Sequence, residues 1–311
     1  MGIYDLDPSE GSFKADFYVW MKYDKSIPNP GEYLDTSDSE KRIPRIERLE
    51  ANNGESMNLE RQDYSPPDKP EHRVWYRARG RFYHDFDMRE YPFDQQELEI
   101  KLENPIYPSD QLNYGIDAAS GYSSRKADGS SADLDPSLLS VSGWKTERIQ
   151  HVVRVNHYPT DWGLPDESDL QDYSQSTLII TLRRCSGQHL AEIVFPLIAS
   201  AMLVTLVFFH SNKDLSAAIW ICVAMFIGVV GHHRGLLTSM PDVRYFITSD
   251  YFFLLTYLYI VICLAMLLVS DYFSRKGLER SAERICCRSR VILPALYLLL
   301  MAAVASPAFR L

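Results

Sequence analysis

The spacing of apolar positions changes character near residue 187. Before it, apolar residues recur at every second position in short segments bounded by Pro, Gly, Asn and Asp, the pattern of half-buried strands. Phe13 to Tyr23 is the clearest case, with Phe17, Val19 and Met21 on one side and Tyr18, Trp20 and Lys22 on the other. His72 to Met88, Glu97 to Leu102, Trp144 to Tyr158 and Ser176 to Arg184 follow the same rule. Only a short stretch around Ser37 to Glu50 has a helical look, so the spacing predicts an antiparallel β-sandwich over residues 1–187. Ser120 to Asp135, rich in Ser, Gly, Asp and Ala, reads as a loop.

After residue 187 the alternation gives way to four uncharged apolar runs: Ile193 to Phe209, Leu215 to Gly231, Tyr251 to Ser270 and Val291 to Phe309. Each is about 17–20 residues long, enough for a helix to cross a hydrocarbon core of roughly 30 Å. The expectation for residues 188–311 is a four-helix transmembrane bundle, with helices at about 190–209, 215–237, 250–272 and 290–309.

Composition hides this division. The mean hydropathy of −0.19 suits a soluble protein only because it averages two unlike parts. Residues 188–311 carry 10 Lys and Arg against 7 Asp and Glu, whereas residues 1–187 carry 22 against 34. The acidic front argues against a nucleic-acid partner. Arg275, Lys276, Arg280, Arg284, Arg288 and Arg290 crowd the link between the third and fourth runs, and positive charge marks the cytoplasmic side. Both termini are then outside, and the front domain is extracellular or periplasmic.

An exported domain needs a leader, yet Met1 to Asp5 has neither a charged start nor an apolar run. A missing upstream N-terminal domain, or trimming, is therefore expected. The five cysteines, Cys185, Cys222, Cys263, Cys286 and Cys287, all lie in or beside the apolar part, so the front has no internal disulfide. Cys286-Cys287 reads as plain thiols or as a palmitoylation pair. HExxH, GxSxG, Walker and Cys-x-x-Cys patterns are absent, so an enzyme is not expected, nor a cofactor. Asp5-x-Asp7-x-Ser9-x-Gly11 matches half of a calcium loop but has its Gly one place late.

Arg89-Glu90-Tyr91-Pro92-Phe93-Asp94-Gln95-Gln96-Glu97-Leu98 resembles the Pro-loop of the pentameric ligand-gated ion channels, the Cys-loop receptor superfamily. The positions of the bracketing cysteines hold His84 and Leu98, as in the prokaryotic branch. Pro196 early in the first run, Met240 to Tyr245 after the second and Asp250 to Leu258 opening the third agree in order. The resemblance implies a homopentameric, ligand-gated channel in a bacterial inner membrane, multi-pass, its pore lined by the second helix. The alternative is a four-span receptor or sensor without a conducting pore.

What the resemblance implies can be joined to the residues. Arg234, flanked by His232 and His233, is a charge inside an apolar helix, which is expensive unless it faces water. Helical spacing from Arg234 gathers Gly231, Ile227, Ala224 and Trp220 on one face, the expected pore lining. Ile227 would form a hydrophobic ring; Trp220 would be a constriction or an interfacial aromatic. Asp214 stands at the pore mouth. The acidic front favours cations, and Arg234 opposes them. The gating contacts implied by the resemblance are Asp7, Glu10, Tyr91, Pro92, Phe93, Asp94, Arg183, Arg184, Pro241, Asp242 and Arg244. A ligand site is implied between subunits, capped by the hairpin that carries Tyr158, Trp162 and Tyr173. Aromatic rings among carboxylates suit an unknown small amine or another cation, or else belong to a solvated acidic loop. Asp161, Asp166, Glu167 and Asp169 there are candidates for calcium as a modulator.

Overall fold

The computed structural model describes residues 2–26, 44–63, 68–117, 124–126, 130–160, 172–209, 215–238 and 240–306. Ten strands come first: β1 (Gly2–Asp7), β2 (Ser12–Asp24), β3 (Glu50–Ala51), β4 (Asn58–Asp63), β5 (Glu71–Tyr83), β6 (Gln95–Glu103), β7 (Ser124–Arg125), β8 (Ser131–Leu134), β9 (Trp144–His157) and β10 (Asp172–Arg184). Four helices follow: α1 (Ser186–Leu206), α2 (Leu215–Leu237), α3 (Thr248–Arg275) and α4 (Glu279–Ala305). The chain forms two compact units. Residues 1–86 and 95–184 make the first; residues 87–94 and 185–311 make the second.

The strand unit holds a four-stranded sheet, ordered β1-β2-β5-β4, and a six-stranded one, ordered β3-β6-β10-β9-β8-β7, each paired antiparallel. The period of two sorts each strand into a buried and an exposed face. Phe13, Phe17, Val74, Tyr76 and Phe82 of one sheet, and Leu98, Ile100, Ile149, Ile180 and Leu182 of the other, form the core. Gly54 bridges to Phe82, and a Cβ there would come within 2.6 Å of the Arg81 carbonyl, so only glycine allows the approach.

One carboxylate lies fully inside this unit. Glu47, on a 3-10 turn (Arg45–Glu47), accepts from Arg61 Nε at 2.8 Å and Nη2 at 3.0 Å, from the Tyr23 hydroxyl at 2.5 Å and from the Tyr76 hydroxyl. Burial first, and then the hydrogen bond to Glu47, pushes both phenols far up. The hydrogen bond to Glu47 holds Arg61 more firmly protonated.

Two expectations are corrected. Ser120 to Asp135 is not wholly a loop: β8 pairs with β9, where Ser131 and Ala132 are small enough to be buried. The fourth helix starts at Glu279 rather than near 290. The basic link is amphipathic, with Ala282, Cys286 and Ser289 buried on one face while Arg280, Arg284 and Arg288 are exposed. Of the stretch from Ser37 to Glu50, residues 37–43 lie outside the described residues, and the rest holds the 3-10 turn Arg45–Glu47.

In the helix unit all four helices are long and apolar enough to cross a membrane. α3 is the central one. Its Tyr259 hydroxyl meets Thr205 Oγ1 of α1 at 2.5 Å, its Thr256 Oγ1 meets the Tyr297 hydroxyl of α4 at 2.9 Å, and its Asp250 meets His233 of α2 at 3.1 Å. The Thr205, Tyr259, Thr256 and Tyr297 hydroxyls thus find partners on neighbouring helices, as an apolar solvent favours, whereas the buried Ser249 and Ser289 hydroxyls have none among the described residues.

Two outcomes follow for the strand unit. Glu47→Gln leaves Arg61 and two phenols without their charged acceptor. It is expected to cost about 2–4 kcal/mol in guanidinium unfolding followed by circular dichroism; no change would mean the cluster is stabilising in appearance only. Separately, burial holds His84 and His151 below the ordinary imidazole range. Folding favours their neutral forms, so their contribution is full above about pH 6.5 and is lost as pH falls through the lower folded values. The melting temperature should decline from about pH 6.5 to 5, and less steeply in His151→Gln.

Candidate functional site

β6, β9 and β10 bring a carboxylate and several aromatic rings together. Glu103 ends β6, opposite Gln175 of β10, with Glu50 of β3 on its other side. Its phase along β6 is the outward one of Glu97, Glu99 and Lys101, yet it is only 5% exposed. Asn52 Nδ2 donates to it at 2.9 Å, Gln175 Nε2 at 3.3 Å and the Tyr158 hydroxyl at 3.0 Å. Tyr158 meets Tyr173 edge to face, with ring centroids 5.8 Å apart. Tyr114 carries a buried hydroxyl with no hydrogen-bond partner. Burial, followed by the Glu103 charge, pushes the phenols of Tyr114, Tyr158 and Tyr173 up.

Three donors occupy the carboxylate, which offers about four lone-pair directions. That leaves about one acceptor direction on the carboxylate, with the Tyr114 hydroxyl, buried and without a hydrogen-bond partner, close enough to feel its charge. Such an arrangement can hold an organic cation through a charged hydrogen bond and cation–π contact. Of the expected ligand residues, Tyr158 and Tyr173 come together, whereas Trp162 lies outside the described residues. Glu103 was missed because an outward-phase glutamate on a strand reads as solvated. Asp161, Asp166, Glu167 and Asp169 also lie outside the described residues, and among those described no group of three His, Cys, Asp or Glu gathers to hold a metal ion.

α2 has a packed side and an open side. Ala218, Cys222 and Val229 are buried, and Met225 and His232 are half-buried in the same sector. Trp220, Ala224, Ile227, Gly231 and Arg234 are all exposed, roughly half a turn away. Trp220 is 69% exposed and Ile227 64%, as open as Phe195 on α1 and Val291 on α4. Asp214 lies outside the described residues.

Asp7, Glu10, Arg183 and Arg184 each have a partner within the strand unit. Asp7 Oδ1 accepts from the Ser9 hydroxyl at 2.5 Å and from the Ser9 and Glu10 amides at 2.9 and 3.1 Å, closing the β1–β2 turn. The Ser9 hydroxyl, foremost among these, holds its pKa below the usual carboxylate range. Glu10 pairs with Arg81 at 3.2 Å and Arg183 with Glu147 at 2.8 Å; Arg184 lies over the Trp144 ring at 4.2 Å. In the helix unit, Tyr91, Pro92 and Asp94 are buried and Phe93 is half-buried. The Tyr91–Pro92 peptide is cis. Pro241 is half-buried, while Asp242 and Arg244 are exposed. The contacts that fix segment 87–94 come from Tyr245, the end of the Met240 to Tyr245 stretch, and from Thr248, which the sequence did not single out. Thr248 donates to the Arg89 carbonyl from its amide at 2.9 Å and its hydroxyl at 3.0 Å. The Met88 amide donates to the Tyr245 hydroxyl at 3.0 Å, and the Arg89 guanidinium lies 5.3 Å from the Tyr245 ring centre.

Cysteine substitution along α2 in a background lacking Cys222 tests its faces. Positions 220, 224, 227, 231 and 234 should react with a water-soluble thiol reagent in membranes. Reaction at 221, 225, 228 and 232 instead would turn the helix by about a quarter to a third of a revolution.

No protein-family model matches the sequence, and no curated protein matches it.

Proposed function

We propose that the chain is the subunit of a homopentameric ligand-gated ion channel, with the open side of α2 lining the pore. The observation that carries this is Arg234: a charge on the unpacked side of an apolar helix, in line with Gly231, Ile227, Ala224 and Trp220. A guanidinium at membrane depth requires water, and a ring of such helices around an aqueous path supplies it. The resemblance of the Pro-loop and the order of sandwich and spans support five-fold assembly. Ile227 would be the apolar girdle that closes by dewetting, and Asp214 would stand at the mouth. The acidic strand unit favours cations, and calcium is proposed as a modulator. The membrane is proposed to be a bacterial inner membrane, with both termini outside.

The ligand class that the Glu103 cluster fits is a small organic ammonium. Its charge would replace none of the existing donors on Glu103 and would meet Tyr158 and Tyr173 by their ring faces.

Reconstitution into planar bilayers tests the reading. Small primary and quaternary amines should evoke current, and Glu103→Gln should raise the half-maximal concentration by roughly tenfold or more, the cost of a charged hydrogen bond. Five-fold symmetric particles without current under any applied amine would favour the four-span sensor. Particles of any other symmetry would end the channel reading.

A further inference from the structure

Which side of α2 stays open depends on how the helix is turned about its own axis, and His233 is placed to fix that angle. Its ring makes directional contacts with α3 on both nitrogens and on one face. Nε2 lies 3.1 Å from Asp250 Oδ1, Nδ1 lies 3.2 Å from the Tyr257 hydroxyl, and the ring stacks on Phe253 with centroids 4.2 Å apart and 9° between the planes. A carboxylate only accepts, so Nε2 carries a proton, and in the neutral ring Nδ1 then accepts from Tyr257. Asp250, Phe253 and Tyr257 recur at spacings of three and four and so share one face of α3.

The carboxylate that receives His233 is itself held. Asp250 Oδ2 accepts from the Ile247 amide at 3.0 Å and closes the first turn of α3. One oxygen secures the start of α3, and the other is presented to α2 from a fixed position.

The remainder of the α2 seam lacks such direction. Ala218, Cys222, Phe226 and Val229 all fall within about 60° of His233 around the helix. Ala218, Cys222 and Val229 are buried, and the Phe226 ring lies 5.2 Å from that of Tyr257. These side chains are apolar or nearly so, and burial of apolar surface is non-directional. Gly231 and Gly235, on either side of His233, have open space where a Cβ would sit, so no close approach of a neighbouring backbone holds the helix there. Trp220, Ala224, Ile227, Gly231 and Arg234 lie about 100–180° round from His233.

We infer that His233 is the positioning residue that fixes the rotation of the C-terminal half of α2 and thereby keeps Gly231 and Arg234 on the open side. A turn of the helix large enough to carry Arg234 toward α3 breaks two hydrogen bonds and a stack at once, whereas the apolar seam can slide. The bearing of this on a pore rests on the channel reading; the inference about rotation does not.

The test is the helical phase of α2, read by nitroxide scanning. Labels are placed singly at positions 218–232 and 234–237 in a background lacking the native cysteines, with the full chain reconstituted in lipid vesicles. Collision with dissolved oxygen and with a water-soluble nickel chelate is measured by electron paramagnetic resonance. With His233 in place, the summed accessibility should follow a period of about 3.6 residues, lowest near 222, 226 and 229. H233F keeps an aromatic ring on Phe253 but loses both hydrogen bonds. Its period should hold over 218–227 and be lost over 228–237. H233A should behave in the same way, and H233Q, whose amide can still donate to Asp250, should restore the period. An unchanged phase over 228–237 in H233F and H233A would overturn the inference. So would a loss in H233Q as complete as in H233F, which would assign the role to ring shape. Loss of the period along all of α2 with a lowered melting temperature would make His233 a general packing residue and also sink it. If oxygen but not the nickel chelate reaches 220, 224, 227, 231 and 234 while the variants behave as stated, this inference stands and the channel reading alone fails.

Discussion

Two hydrogen bonds from Thr248 to the Arg89 carbonyl draw a piece of the strand unit's sequence into the helix unit. Thr248 is buried, and the carbonyl is satisfied by both the amide and the hydroxyl of this one residue. Tyr245 fixes the same segment from the α2–α3 link by accepting from Met88. The chain consequently passes between the units three times, after residues 86, 94 and 184. A single crossing would leave two domains on a tether; three make the path of the backbone itself part of how the units are joined.

Buried carboxylates organise the strand unit in two contrasting ways. Glu47 is saturated: a two-pronged guanidinium and two phenols use its oxygens, and nothing polar faces it unmatched. Glu103 has only neutral donors, and the nearby Tyr114 hydroxyl is left over. The first arrangement holds structure together, since its charge is cancelled on the spot. The second leaves a buried carboxyl with no cationic partner among its hydrogen-bond donors, the setting in which a cation from outside would gain most.

Much of the architecture was legible because it depends on periodicity. β2, β5, β6, β9 and β10 alternate cleanly, and the apolar runs of α1 to α3 are too long to be anything but helices. What escaped depended on neighbours distant in sequence. β8 is made of Ser, Ala, Asp and Leu, residues with little strand preference, and exists because β9 offers it a free edge. The first turns of α4 looked like a charged loop because their packed face is Ala282, Cys286 and Ser289, not large apolar groups. The faces of α2 could be assigned because one arginine sets the register. Glu103 could not be found, because its burial comes from Asn52, Tyr158 and Gln175 on three other segments.

The Glu103 cluster and the crossings between units lie at opposite ends of the same two strands. β6 leaves residue 94 at one end and finishes on Glu103; β10 begins beside Tyr173 and finishes at Arg184, where the chain enters α1. The two are paired without interruption from Gln95 with Arg183 to Glu103 with Gln175, about 30 Å of ladder. β10 is further braced by β9 along its whole length. A ladder of that kind resists stretching and shear, since slipping by one residue would turn its buried face outward. The Glu103 end and the ends at Gln95 and Arg184 therefore belong to one stiff element of the strand unit rather than to separate loops.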